Sequence, residues 1–126
     1  MANDPAEHPA SRTDLAEDRT ILANERTFAG WLRTGLGAIG IGLAFNALFT
    51  RLEPAWVPRL IASVFLATAI LIFVAAERRA TVVLRRLQTH EVRSASVRTL
   101  RVIAGICAGA TAALIVGLWL LPIAPR

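Results

Sequence analysis

The sequence contains three apolar runs of about twenty residues each, and this feature restricts the possible folds more than any other. The runs extend over about 28–49, 57–76 and 102–123 of the 126 residues. A helix rises about 1.5 Å per residue, so each run is long enough to cross the roughly 30 Å hydrocarbon core of a bilayer. With 55% hydrophobic residues and a mean hydropathy of +0.53, the chain is too apolar for an ordinary soluble domain. The sequence therefore predicts an all-α integral membrane protein with three transmembrane helices.

A charged segment precedes the first run, and no proline or turn cluster separates the two. Two sets of residues recur there at intervals of seven, close to two helical turns: Leu15, Leu22 and Ala29, and Arg19, Arg26 and Arg33. We predict an N-terminal amphipathic helix at the membrane surface, capped by Ser11 or Thr13, that continues into the first span. Residues 1–12 are expected to form a disordered acidic tail, and residues 13–126 a single membrane domain.

Arg33 lies about one and a half turns inside the first span. A charged side chain at this depth is unfavourable by a few kcal/mol on insertion scales. Either the guanidinium group bends back to the lipid head groups, or it faces a polar vestibule lined by protein. The second interpretation makes Arg26, Arg33 and Arg19 candidate anion-binding or pore-lining residues, because rings of arginine select anions.

Glycines are frequent in the spans. Gly35, Gly37 and Gly40 match the G-x-G-x-x-G string, but no strand precedes them and they lie mid-span, so we reject a dinucleotide site. Small residues also form stripes, which allow helix backbones to approach closely in lipid. The stripes are Gly30, Gly37 and Ala44; Gly35 and Gly42; and Gly105, Gly109, Ala113 and Gly117. The candidate helix-packing residues are Gly37, Gly40, Gly105 and Gly109.

Short connections join the spans. Residues 50–56 suit a tight helical hairpin, and Pro58 then lies in the first turn of the next helix, where its missing N–H costs little. The helical pattern of the second span continues to about Thr89. Ser94 or Ser96 is expected to cap the third helix.

The placement of arginine predicts the orientation. Segment 77–101 contains seven arginines and two acids, so it is expected to be cytoplasmic. The N-terminus is then cytoplasmic and the C-terminus outside, in the inner (plasma) membrane of a cell, with Trp31 near the inner interface and Trp56 and Trp119 near the outer one. No cleavable signal peptide is apparent, so the first span is expected to remain in the mature protein. The cytoplasmic basic loop includes Arg78, Arg79, Arg85 and Arg86.

Composition argues against several functional classes. All 14 basic residues are arginine and the formal net charge is +5. Either contact with anions or GC-rich codon usage would produce this bias. We expect anionic lipid head groups as partners and not nucleic acid, because the apolar runs leave little room for a soluble basic face. The two histidines lie far apart and Cys107 lies in an apolar run, so we predict no metal site, no cofactor and no enzymatic activity.

One segment, Leu22-Ala-Asn-Glu-Arg-Thr-Phe-Ala-Gly-Trp-Leu-Arg-Thr34, resembles the signature of a family of three-span membrane domains of unknown function. That family includes YidH-type proteins of the bacterial inner membrane and the small membrane domain of the yeast vacuolar transporter chaperone (VTC) complex, a polyphosphate polymerase. The core Asn24-Glu25-Arg26-Thr27-Phe28 with Trp31-Leu32 carries the resemblance. The number of spans and the basic second loop also match.

The resemblance implies that such domains assemble around a central axis. It also implies that Arg26 and Arg33 help to pass polyphosphate, with Glu25 as a neighbouring salt-bridge partner. The sequence shows no soluble polymerase domain, so synthesis of polyphosphate is not expected. Two functions follow: a small membrane scaffold or accessory subunit whose glycine faces bind other helices, in a homo-oligomer or with other membrane subunits, or a homo-oligomeric conduit for anions or polyphosphate.

Overall fold

The computed structural model describes residues 9–86 and 92–121, and three helices account for nearly all of them. They are α1 (Pro9–Leu48), α2 (Trp56–Arg86) and α3 (Val92–Leu120). Each contains a stretch long and apolar enough to cross a membrane. The predicted all-α, three-span membrane protein is therefore confirmed.

Helix α1 joins the charged segment to the first span without a break, as predicted. Its 40 residues span roughly 60 Å at 1.5 Å per residue. That length is about twice the hydrocarbon thickness of a bilayer, so a large part of α1 extends outside the apolar region.

Two predicted helix starts are wrong. Helix α1 begins at Pro9, ahead of the proposed caps Ser11 and Thr13, because proline fits the first turn, where its missing N–H has no intrahelical partner anyway. The predicted boundary at residue 12 thus falls inside a helix, whereas the rest of the acidic tail lies outside the described residues. Helix α3 begins at Val92, so Ser94 and Ser96 lie within it and do not cap it.

A short connection joins α1 to α2, as the sequence predicted. The backbone N–H of Leu52 donates to the carbonyl oxygen of Phe49 at 3.1 Å, and that of Val57 donates to the carbonyl oxygen of Pro54 at 3.0 Å. Pro58 lies in the first turn of α2 and is buried. Helix α2 continues past the apolar run to Arg86, which carries the basic residues beyond the span.

Helix α2 is the central element and packs against both α1 and α3. Alanines at Ala62, Ala69, Ala76 and Ala80 are almost completely buried along it, and their small side chains let the neighbouring helices come close. All three helices meet at the basic end of α2. The core there consists of Phe28 from α1, Ala76, Ala80 and Leu84 from α2, and Leu100 and Ala104 from α3.

Two glycines of α1 form the close contact with α2. A Cβ added to Gly42 would lie 2.8 Å from Leu66 Cδ1 and 3.1 Å from the carbonyl oxygen of Ala62. A Cβ added to Gly35 would collide with the ring of Phe73. Gly35 and Gly42 follow Phe28 at intervals of seven residues, so all three lie on the buried side of α1.

The glycines singled out for packing are not the ones that pack inside the chain. A Cβ added to Gly37, Gly40, Gly105 or Gly109 would meet no atom within 4 Å. In α1 the prediction chose the wrong side, because Gly37 is two residues and Gly40 five residues beyond Gly35, and both offsets turn a side chain away from the α2 contact. Packing of these glycines against another molecule stays a prediction.

Candidate functional site

The side of α1 opposite the α2 contact carries the predicted arginines. We call this surface the outward face of α1, and it comprises Arg19, Arg26, Arg33, Thr27, Thr34, Gly30, Gly37 and Gly40. All eight residues are exposed. The buried residues of α1, led by Phe28, Gly35 and Gly42, lie on the other side, so the helix presents two different surfaces.

Within one chain, no protein surface covers the side chain of Arg33. Its side chain is exposed, although the residue lies inside the first apolar run. Neither α2 nor α3 covers the side of α1 on which it sits. A polar vestibule around Arg33 would therefore require a second protein surface.

A shallow recess of about 460 Å³ lies on the outward face near the membrane boundary. Its lining consists of Thr27, Gly30, Trp31 and Thr34. Thr27 Oγ1 donates to the carbonyl oxygen of Ala23 at 3.0 Å, and Thr34 Oγ1 donates to that of Gly30 at 3.1 Å. The hydroxyl protons are thus used inside α1, and each hydroxyl oxygen retains acceptor capacity toward an external donor.

The predicted pairing of Glu25 with the neighbouring arginines has no counterpart among the described residues of one chain and stays a prediction. Glu25 is exposed and forms no ion pair with a described residue. Glu25 and Arg26 are adjacent, so their side chains leave the helix in different directions, and Arg33 is more than two turns away. Partners of Glu25 along one helix would have to lie three or four residues from it.

Asn24 is a member of the same sequence motif, but its role was not predicted from the sequence. Its side chain is 8% exposed, and Nδ2 lies 3.5 Å from the carbonyl oxygen of Ala80 in α2, which is long for a hydrogen bond. The position of Asn24 next to a buried helix contact explains why a polar residue can occur there. The sequence contained one signal for this contact: Asn24 lies four residues before Phe28 and therefore on the same side of the helix.

Glu77 and Arg101 form an ion pair between α2 and α3 that was also not predicted from the sequence. Arg101 Nε donates to Glu77 Oε1 at 3.1 Å, and Thr81 Oγ1 donates to the same oxygen at 3.0 Å. The Glu77 side chain is only 19% exposed, whereas that of Arg101 is 59% exposed. A single acid at the end of an apolar run, among many arginines, could have pointed to this pair.

At the opposite end of the spans, a hydrogen bond joins the same two helices. Trp119 Nε1 in α3 donates to Ser63 Oγ in α2 at 3.0 Å, and Ser63 Oγ donates to the carbonyl oxygen of Arg59 at 2.8 Å. Trp119 and Trp56 lie at the same end of the molecule because α2 and α3 are antiparallel. Both are about half exposed, as expected for aromatic residues at a membrane interface.

The predicted basic residues of α2 all lie near its C-terminal end and are exposed. They are Arg78, Arg79, Arg85 and Arg86. Arg85 and Arg86 occupy the last turn, where positive charge interacts favourably with the helix dipole. Residues 87–91, the rest of this connection, lie outside the described residues.

Metal-ligating side chains do not cluster in the part of the chain that the structure describes. No group of three or more histidine, cysteine, aspartate or glutamate residues there could hold a metal ion. Cys107 is a free thiol and partly buried in α3.

Comparison with protein-family models gives a match, over residues 19–86, to the family described as domain of unknown function DUF202. The match covers more than half of the chain and includes the outward face of α1 and the whole of α2. No curated protein and no solved structure matches the chain. The chain is therefore a membrane protein that belongs to the DUF202 family.

Proposed function

We propose that the protein is a small, non-enzymatic membrane subunit that packs against other membrane-protein helices through the outward face of α1. One observation carries this proposal. Helix α1 has two surfaces of small residues, and the chain itself covers only one of them. Gly35 and Gly42 contact α2, whereas Gly30 and Gly37 have open space where a side chain would be.

The chemistry of the outward face favours protein over lipid as its neighbour. Exposed positions of α2 carry the branched apolar residues expected against acyl chains, such as Leu60, Val64 and Leu71. The outward side of α1 also has exposed apolar residues, such as Ile41 and Leu48, but alongside them it carries glycine, threonine and Arg33 at membrane depth. Helices associate in lipid through such small and polar residues, and a buried arginine needs protein or water around it.

We further propose that the protein lies in an inner (plasma) membrane with its N-terminus in the cytoplasm and its C-terminus outside. The support is the number of arginines at one end of the spans. The α2 end that carries Arg78, Arg79, Arg85 and Arg86 faces the cytoplasm under the positive-inside rule.

A second candidate function is a homo-oligomeric conduit for anions or polyphosphate. In this arrangement, α1 helices from several copies surround an axis, and Arg26 and Arg33 line its cytoplasmic entrance. One observation favours it: these arginines share one exposed side of α1. The resemblance of the signature segment to that of the VTC membrane domain implies the same role.

Assembly is tested by native mass spectrometry of the full chain extracted from its own membranes. Gly37→Leu adds a large side chain to the outward face, where a Cβ meets nothing inside the chain. We expect the wild-type protein to appear in a complex and Gly37→Leu to release the monomer. Ala67→Leu, at an exposed position of α2, is the matched control and should leave the complex intact. A monomeric wild type, or a complex unaffected by Gly37→Leu, would contradict the proposal.

The conduit is tested separately by reconstituting the protein alone in vesicles and measuring the flux of chloride, phosphate and polyphosphate. Flux that falls in Arg26→Gln and Arg33→Gln, but not in Arg51→Gln at the other end of the spans, would support a conduit. Flux no greater than in empty vesicles would exclude the conduit, and the subunit role would be the remaining proposal. Mass spectrometry and flux thus separate the two functions.

A further inference from the structure

A groove of about 190 Å³ lies between α2 and α3, at the end of the spans that carries the basic residues. Its lining consists of Val74, Glu77, Arg101, Ala104, Gly105 and Ala108. The charged residues lie at one end of the groove. The small apolar residues continue from there toward the middle of the membrane, because α3 contains no charged residue after Arg101.

The ion pair with Glu77 holds Arg101 at the charged end. The pair uses Nε of Arg101, and 59% of that side chain is exposed, so its terminal amino groups are accessible to a further acceptor. Glu77 also accepts the Thr81 hydroxyl, so two donors share its Oε1 atom. A guanidinium group fixed in this way presents a flat pair of donors that matches the geometry of a phosphate group.

Two further arginines occupy the same end of the groove by helical register. Arg98 is three residues before Arg101, and Arg78 is four residues after Val74. Residues at these separations lie on the same side of a helix. Both arginines are exposed. The charged end therefore contains more positive than negative groups.

We propose that this groove binds an anionic phospholipid. The phosphate group contacts Arg101, and one acyl chain lies along Ala104, Gly105 and Ala108. Basic sites between spans on the cytoplasmic side are suited to anionic head groups. A lipid is the occupant, and not a soluble phosphate, because the groove continues from its charged end into an apolar trough. The site belongs to α2 and α3 and does not depend on assembly through α1.

The test is native mass spectrometry of the delipidated full chain with equal amounts of phosphatidylglycerol and phosphatidylcholine. We expect the wild type to retain phosphatidylglycerol preferentially. Arg101→Gln should reduce that preference by about fivefold, the effect of one juxtamembrane arginine. Arg51→Gln removes the same charge at the other end of the spans and should not change it.

Two further variants separate binding from folding. Glu77→Gln breaks the same ion pair but keeps the charge of Arg101, so the preference for phosphatidylglycerol should fall less than in Arg101→Gln. Gly105→Leu fills the trough, where a Cβ alone meets no atom within 4 Å, and should weaken retention of both lipids. Gly117→Leu, another open glycine of α3, is its control. Equal preference in Arg101→Gln and wild type, or equal loss in Glu77→Gln and Arg101→Gln, would overturn the proposal.

Discussion

The ring of Phe73 in α2 lies against the backbone of Gly35 in α1, so only hydrogen fits as the side chain at position 35. Phe73 is completely buried and is one of the largest side chains in the helix contact. The contact therefore depends on a pairing of a large residue with the smallest one, which fixes how α1 and α2 align.

Gly35→Ala should destabilise the fold by about 1–3 kcal/mol, because the added methyl group overlaps the Phe73 ring in a packed contact. The measurement is the free energy of unfolding in mixed detergent micelles, followed by tryptophan fluorescence. Gly37→Ala is the matched control, since its methyl group enters open space. Adding Phe73→Leu to Gly35→Ala should recover part of the loss, and a Gly35→Ala protein as stable as Gly37→Ala would show that this contact is not tight.

The Glu77–Arg101 pair should contribute a coupling free energy of about 0.5–1 kcal/mol between α2 and α3. The magnitude is modest because more than half of the Arg101 side chain is exposed. A double-mutant cycle with Glu77→Gln, Arg101→Gln and both changes measures it through the same unfolding assay. Single changes whose effects on the free energy of unfolding simply add would contradict the coupling between Glu77 and Arg101.

Trp119→Phe should cost about 1 kcal/mol, because it removes the indole N–H that donates to Ser63 while it keeps an aromatic ring at the interface. Trp56→Phe is the comparison, since Trp56 is exposed to a similar extent, 52% against 47%. The unfolding midpoints of the two variants in detergent give the difference. The prediction fails if Trp119→Phe and Trp56→Phe unfold at the same midpoint and if Ser63→Ala, which removes the hydroxyl acceptor, does not lower the midpoint of the wild type.

Cysteine labelling should reveal the orientation. In a Cys107→Ser background, Thr50→Cys lies between α1 and α2, and Ala23→Cys lies before the first span, both at exposed positions. A membrane-impermeant maleimide added to intact spheroplasts should label Thr50→Cys, whereas Ala23→Cys should react only after lysis. The reverse pattern would place the basic end of α2 outside and contradict the positive-inside assignment.

The helices could be predicted from the sequence because bilayer thickness requires long apolar runs, which are visible without knowledge of any contact. The continuity of α1 followed from the absence of a break before Phe28. The starts of α1 and α3 were misjudged because serine and threonine near a boundary indicated caps, although Pro9 and Val92 lie further outward. Serine and threonine are weak evidence for where a helix begins, because the helix can extend past them.

The contacts between helices could not be predicted in the same way. A stripe of glycines shows that a backbone can come close to another helix, but not which side of α1 does so. The choice between Gly35 and Gly37 depends on the register of α1 against Phe73, which is a tertiary property. Glu77 and Arg101 likewise meet only because α2 and α3 pack antiparallel at a particular offset.

The uninterrupted course of α1 has a mechanical consequence. Between Pro9 and Phe28 it contains no further proline and no glycine, so roughly 30 Å of uninterrupted helix precedes the first span, and only its C-terminal part, around Asn24, contacts α2. A small change in the tilt of α1 in the membrane therefore produces a large displacement of its N-terminal end. Conversely, a protein that binds the N-terminal end of α1 would turn the membrane portion and change where the guanidinium group of Arg33 is directed.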